Sequence, residues 1–231
     1  MVEMLFNNLK KTKVSYTENK QTIPSSLFTH PQPVQTNEVM CPAVQSVSNR
    51  LFSCQSFITI EITFSIKDND VYYEYDFSAK EFQSTPEMHN VIKELFETEL
   101  VNGKAVLQFT SNLSFITDTK DVEVVCVPSP NVNTTNCSFV SGGFYITNWI
   151  RPINAAFIQT DNTKEAKVKL KFGEPMLYVL FNKPVVLNHL IDIPDHTKKY
   201  SYSMFNITRY LKNINKHYIR IKKNRPNKLL K

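Results

Sequence analysis

From Phe57 onward the chain alternates apolar and polar residues with a period of two. Ile58, Ile60, Ile62, Phe64 and Ile66 interleave with Thr59, Glu61, Thr63 and Ser65, the pattern of a strand with one face in a core and the other in water. The run Lys67-Asp68-Asn69-Asp70 supplies turn residues. Val71, Tyr73, Tyr75 and Phe77 then alternate with Tyr72, Glu74 and Asp76, which predicts a second strand hairpinned to the first. Further strands are expected at KAVLQF, LSFIT, VEVVCV, GFYITNW, AAFIQT, AKVKLKF and PMLYVLF. In residues 166–172 the division is sharp, with Ala166, Val168, Leu170 and Phe172 assigned to the core and Lys167, Lys169 and Lys171 to solvent.

Two segments break the two-residue rhythm. The stretch STPEMHNVIKELFETELVNG predicts one internal helix: Thr85 caps it, Pro86 suits its first turn, Met88, Val91, Ile92, Leu95 and Phe96 share a face, and Asn102-Gly103 ends it. From Tyr200 the spacing becomes three and four, with Met204, Ile207, Leu211, Ile214, Tyr218 and Ile221 on one side. Arg209, Lys212, Lys216, Arg220 and Lys223 fall on the opposite side, so the pattern is that of a basic amphipathic helix. It spans about two and a half heptads, short of a coiled coil. Residues 10–49 are polar, hold Pro24, Pro31, Pro33 and Pro42, and carry little periodicity, which predicts an extended arm or ordered loop rather than a helix.

Together these patterns predict a mainly β fold: an antiparallel β-sandwich or a jelly-roll or cupin-like barrel, with one internal helix and a basic amphipathic C-terminal helix. The expected organisation is a proline-containing arm over 1–50, a β-sandwich domain over 51–195 and a basic helix and tail over 196–231. The length of 231 residues suits one large domain, and a hydrophobic share of 42% is ample for a packed interior.

Charge adds a division that the hydrophobic pattern does not show. The chain carries +6 overall, yet all 21 acidic residues lie in 1–195 beside 16 basic ones, while 196–231 holds 11 basic residues and no acid. A body of −5 therefore carries a tail of +11. Such a tail implies an anionic partner, namely nucleic acid, a membrane surface or an acidic protein face, unless it is only the solvated side of a docked helix.

Candidate chemistry is sparse. Cys41, Cys54, Cys126 and Cys137 show no paired spacing, and reduced thiols are expected rather than zinc ligands or a redox pair. His30, His89, His189, His196 and His217 lack the alternation that would place two metal ligands on the inner face of a strand, so no metal and no cofactor is expected. No nucleophile elbow and no phosphate-binding glycine loop occurs. No apolar run reaches the about 18 residues of a membrane span, and the N-terminal segment does not have the order of a signal peptide. These features predict a soluble, non-secreted protein without membrane contact. The sequons at Asn112, Asn133, Asn136 and Asn206 would then carry no sugar.

The most unusual cluster is NWIRPINAAF, residues 148–157, which holds the single tryptophan. A proline here removes a ladder donor, so the segment must be a strand end, a bulge or an edge. The structural reading buries the Trp149 ring at a strand corner. It lets Arg151 reach Glu174 in the Gly173-Glu174-Pro175 turn as an ion pair. The functional reading makes Asn148, Trp149, Arg151, Asn154 and Glu174 a shallow polar and aromatic pocket for an anionic or sugar-like ligand.

NWIRPINAAF followed by KFGEPMLYVLF, with CPAV upstream at Cys41–Val44, resembles a family of uncharacterised proteins of tailed bacteriophages and some bacteria, over roughly Cys41 to Leu187. The family has no assigned activity; the resemblance implies a phage origin, and hence the host cytoplasm or the virion as the location. The leading expectation is a non-enzymatic phage protein acting by protein–protein interaction or assembly, self-association included, through its body and basic helix. Two alternatives stay open: a small cupin-like enzyme or binding protein for a sugar, nucleotide or peptide, and nucleic-acid binding through the tail.

Overall fold

The computed structural model describes residues 11–18, 29–34, 47, 49–78, 86–146 and 151–190, with the side chains of Ser78, Pro86, Glu87, Met88, Asn112 and Arg151 outside that set. The C-terminal helix expected from Arg209, Lys212, Lys216, Arg220 and Lys223 lies outside the described residues. The described chain is mainly β. In order, its strands are β1 (Thr12–Glu18), β2 (Gln32–Pro33), β3 (Leu51–Gln55), β4 (Thr59–Lys67) and β5 (Asp70–Ser78). A helix, α1 (Pro86–Glu94), leads into β6 (Phe96–Val101), β7 (Lys104–Ile116), β8 (Val122–Pro128), β9 (Asn133–Thr135) and β10 (Cys137–Phe139). The last strands are β11 (Gly142–Ile146), β12 (Arg151–Gln159), β13 (Ala166–Leu170), β14 (Pro175–Phe181) and β15 (Val185–His189).

Among the described residues three sheets form. The six-stranded sheet runs β10-β12-β7-β1-β15 with β6 also on β7, the five-stranded sheet runs β11-β8-β14-β3-β2, and the four-stranded sheet runs β5-β4-β13-β9. None of them closes into a barrel, so the jelly-roll or cupin-like barrel gives way to open sheets with free edges. Pairing is antiparallel except between β1 and β15, which run parallel with Tyr16 beside His189.

The alternating strands behave as their pattern requires. Ile58, Ile60, Ile62 and Phe64 are buried, and so are Ala166, Val168 and Leu170, whereas Lys167 and Lys169 are exposed. Phe172 departs from the expected core set and is 49% exposed, because β13 stops at Leu170 before the alternation reaches it. The turn of the first hairpin has Asp68 and Asn69 both at positive φ, 52° and 62°, with Lys67 paired to Asp70. That is the two-residue turn whose twist suits a hairpin.

The expected long helix is corrected in its second half. Only Pro86–Glu94 is helical, and FETELV forms β6 against the start of β7. Asn102 and Gly103, at φ 50° and 71°, close a tight hairpin between Val101 and Lys104 rather than capping a helix. The apolar face that α1 and β6 share explains the misreading: Ile92, Leu95 and Phe96 are all buried, at a spacing that suits either element.

β7 is the spine of the molecule. It accepts β12 along one edge, and β6 then β1 along the other. It joins the segments expected as two strands, KAVLQF and LSFIT, through a bulge in which Ser111 to Leu113 face the single residue Ile153. Thr12–Glu18, expected within an arm, is extended but lies inside this sheet between β7 and β15. The missing signal was alternation: the burial of Val14, Thr17 and Glu18 follows no two-residue rhythm.

One core joins all three sheets. Phe115 of β7 packs edge-on against Phe181 of β14 at 5.3 Å, Phe57 stacks on Phe109 at 5.7 Å, and Phe96 meets Tyr73 and Tyr75 at 5.5 and 5.7 Å. Each fully buried phenylalanine contributes about 2–3 kcal/mol through the water it excludes.

Candidate functional site

Of the predicted Trp149 cluster, the side chains of Asn154 and Glu174 are described. The chain leaves the five-stranded sheet at Ile146 and enters the six-stranded sheet at Arg151, and Asn148 and Trp149 lie outside the described residues. Pro152 sits at the start of β12 beside the β7 bulge, as proline chemistry requires. Asn154 is described: its Nδ2 donates to Gln108 Oε1 at 3.2 Å, while its Oδ1 is buried with no hydrogen-bond partner.

Glu174 is engaged elsewhere. Its Oε1 accepts from Lys171 Nζ at 3.2 Å across the turn that joins β13 to β14. The backbone of that turn is tied to Ser56, next to Phe57 and therefore to Phe109, which pairs with Ala155. Arg151 pairs with Phe115, four residues away along β12 and so about 13 Å from that level. The ion pair expected between Arg151 and Glu174 involves an Arg151 side chain that lies outside the described residues; among the described residues Glu174 pairs with Lys171.

Sequence reasoning missed a surface cluster that the parallel pairing of β1 and β15 creates. Tyr16 stacks on His189 with ring centroids 5.1 Å apart, His30 meets His189 edge-on at 4.9 Å, and the Tyr16 hydroxyl lies 3.1 Å from His30 Nδ1. Burial raises the Tyr16 phenol above its ordinary range, so it stays protonated at neutral pH. Two exposed imidazoles and a phenol can exchange protons or hold a small polar ligand. Among the described residues, however, no three His, Cys, Asp or Glu side chains gather as metal ligands. Nothing in the spacing of residues 16, 30 and 189 signals this cluster, because only sheet register brings them together.

A second cluster lies at the opposite edge of the four-stranded sheet from β9. Tyr73, Tyr75 and Phe77 project from one face of β5 toward α1 and β6; the Tyr75 hydroxyl donates to the His89 carbonyl at 3.2 Å, and Phe77 meets the His89 ring at 4.7 Å. Burial raises both phenols, and for Tyr73 the neighbouring Tyr75 adds to the effect. The other face of β5 carries the exposed residues Tyr72, Glu74 and Asp76, and β6 adds exposed Glu97 and Glu99. This aromatic ladder was legible as a strand but not as a partner of the helix.

The described thiols are poor nucleophiles. Cys54, Cys126 and Cys137 are free and buried. Burial, with Cys126 nearby, pushes the Cys54 thiol well up, and burial pushes Cys137 up to about 11 against hydrogen bonds involving the Thr135 and Lys167 backbone.

No family model, curated protein or solved structure matches this chain. Among the described residues no helix is long and apolar enough to cross a membrane.

Proposed function

We propose that the chain is a non-enzymatic bacteriophage protein that acts by contact with another protein chain, in assembly or self-association, through a β-sandwich body and a basic C-terminal helix. The phage assignment rests on the likeness of the Trp149-Ile150-Arg151-Pro152 and Gly173-Glu174-Pro175 segments to that family. The sandwich reading is supported by the shared core in which the six-stranded sheet meets both of the others.

The observation that carries the reading is the edge of β11. Among the described residues this strand ends the five-stranded sheet, paired with β8. Its sequence, Gly-Gly-Phe-Tyr-Ile, holds no charge or proline, the usual guards against strand addition. Tyr145 is 56% exposed on it and Val140 40% exposed just before it. By contrast, β5, another edge strand, carries Asp70, Glu74 and Asp76. A sheet-end strand without charge or proline, flanked by exposed Tyr145 and Val140, suits addition of a strand from a second chain. The segment that follows it in the sequence holds Asn148 and Trp149, two of the residues first grouped as a ligand pocket.

The test is mass by light scattering after size exclusion, across a concentration series, for the full chain and for Tyr145→Lys and Tyr145→Phe. A concentration-dependent dimer or higher oligomer that Tyr145→Lys abolishes and Tyr145→Phe retains supports the reading. A full chain that stays monomeric at every concentration and binds duplex DNA with a steep salt dependence replaces it with the nucleic-acid alternative.

A further inference from the structure

We infer that the strand added to β11 is β11 of a second copy of this chain, joined antiparallel about a two-fold axis at Phe144, so that each Tyr145 lies across from Gly143 of the other copy. The inference rests on the reading of β11 as a site of strand addition and names its occupant.

Water reaches the backbone of this strand. Gly142 and Gly143 are both exposed, and with no side chains what they expose is main chain. β8 occupies one edge of β11, so each chain offers the strand from the other edge alone. Two copies of such an edge meet with their sheet faces in line only when one is turned by half a turn about an axis perpendicular to the sheet. The strands then run antiparallel, and the contact is isologous and closes at two copies.

The faces of the strand fix the register. Phe144 and Ile146 pair with Val124 and Val122, both fully buried, and therefore face the core. Gly143 and Tyr145 pair with half-buried Val125 and Glu123 and face outward. A two-fold about residue 144 sets 142 across from 146, 143 across from 145 and 144 across from itself, so core-facing residues meet core-facing ones. It is the one centre that gives all five residues a partner within β11. The side chains suit that register as well. On the outward face the exposed Tyr145 lies across from a residue that has no side chain. A β-carbon on Gly143 would stand 3.1 Å from Val125 Cγ2 and 3.3 Å from the Val124 carbonyl oxygen, so β8 of the same chain keeps that position bare. The tyrosine ring covers the bare backbone and reaches Val125 of the other copy, giving one aromatic–glycine cross-strand pair on each side of the axis. A centre at residue 145 would instead set Tyr145 against Tyr145 and leave both glycines without a partner in β11.

The experiment is disulfide trapping of full-length Phe144→Cys in a glutathione redox buffer, mapped by peptide mass, with Gly142→Cys as the register control. Hydrogen exchange of the unaltered chain is measured in parallel across a concentration series. Five residues a side is a small contact beside the about 1,600 Å² of a standard interface, so both are read at high protein concentration. Residues that face each other across the axis lie about 5 Å apart, within disulfide reach, whereas the two copies of residue 142 are four residues apart along the strand, about 13 Å. The substituted 144 positions should therefore join at least about tenfold faster than the substituted 142 positions, where a β-carbon meets nothing within 4 Å of its own chain. Adding Tyr145→Lys should abolish the product. Phe144 packs on the core, so the unaltered chain supplies the second readout: amides of 142–146 should slow as concentration rises, and those of β5 and β15 should not. Equal trapping at 142 and 144, or a dimer whose 142–146 amides exchange as fast as in the monomer, would overturn the pairing. An oligomer that Tyr145→Lys dissolves but that never joins at 144 would leave β11 as the contact and sink this register alone. A chain that neither joins nor slows at any concentration would remove the second copy as occupant and leave a different protein in that place.

Discussion

The amide of Gly173 donates to the Ser56 carbonyl at 2.9 Å, and the amide of Ser56 donates to the carbonyl of the next residue, Glu174, at the same distance. β3 passes into β4 at Ser56, and β13 passes into β14 at Gly173 and Glu174. The two bonds therefore lie where two neighbouring chains cross between the five-stranded and four-stranded sheets. They make the Gly-Glu-Pro turn a seam of the body. The side chain of Glu174 contributes only an exposed pair with Lys171, worth little by itself.

Gly173 holds φ +73°, and a β-carbon there would meet nothing within 4 Å, so its requirement is conformational rather than steric. Gly173→Ala should destabilise the fold by about 1 kcal/mol. Gly142→Ala, at a glycine with equal space and no left-handed φ, should change stability by less than about half of that. Urea unfolding midpoints compare the two, and equal effects would remove the conformational explanation.

Phe181 is fully buried and closes on Phe115 and Phe52 at 5.3 and 5.8 Å. Phe181→Ala should cost about 3–5 kcal/mol. Adding Phe115→Ala should cost less than the sum of the single changes, since both empty the same space. Additivity in chemical denaturation would mean that the rings are independent and that the join between their sheets lies elsewhere.

The Cys137 thiol is pushed up from an ordinary 9.0 to about 11. The fold thus favours its neutral form, and this contribution to stability is present below pH 9.0 and lost as pH rises through about 11. At pH 8 only about one molecule in a thousand holds the thiolate. Iodoacetamide at that pH should leave Cys54 and Cys137 unmodified in native protein and modify both in denaturant, as mapped by peptide mass. Rapid native labelling of either would contradict their burial.

Asp161 accepts the Thr163 hydroxyl at 2.6 Å and the Thr163 amide at 3.0 Å, with Lys164 at 3.1 Å. The Thr163 hydrogen bonds, then Lys164, hold its carboxyl down from 3.8 to about 2. The stabilisation this provides is present above pH 3.8 and lost as pH falls through about 2. Carboxyl-carbon NMR titration of Thr163→Ala should show Asp161 moving part of the way back toward 3.8, because the amide of residue 163 and Lys164 still hold the carboxylate. An unchanged titration would transfer the effect to the amide of residue 163 and to Lys164.

Alternation from Ile58 to Phe77 and from Ala166 to Leu170 specified both the strands and their buried faces, because each residue there follows the two-residue period of a half-wetted sheet. The Asn102-Gly103 signal was present but ambiguous, since such a pair can stop a helix or turn a hairpin; the complementary edge of β7 decided for the hairpin. β1 gave no periodic signal because it lies between two strands in the sheet interior, where Thr17 and Glu18 are also buried. The proline expectation at Pro152 was legible from a missing amide, whereas the turn pair of Lys171 with Glu174 was not anticipated.

What the sequence by itself determined is thus the β class, the faces of the alternating strands, the turn at Asp68-Asn69 and the split between an acidic body and a basic tail, all of which follow from local stereochemistry and counting. Only the tertiary structure decided which strands neighbour one another. That choice placed Tyr16, His30 and His189 together, put β11 at the end of its sheet among the described residues and set β5 beside β6. The reason is that register between distant strands is fixed by how three sheets fill one core, and that packing depends on all of them at once.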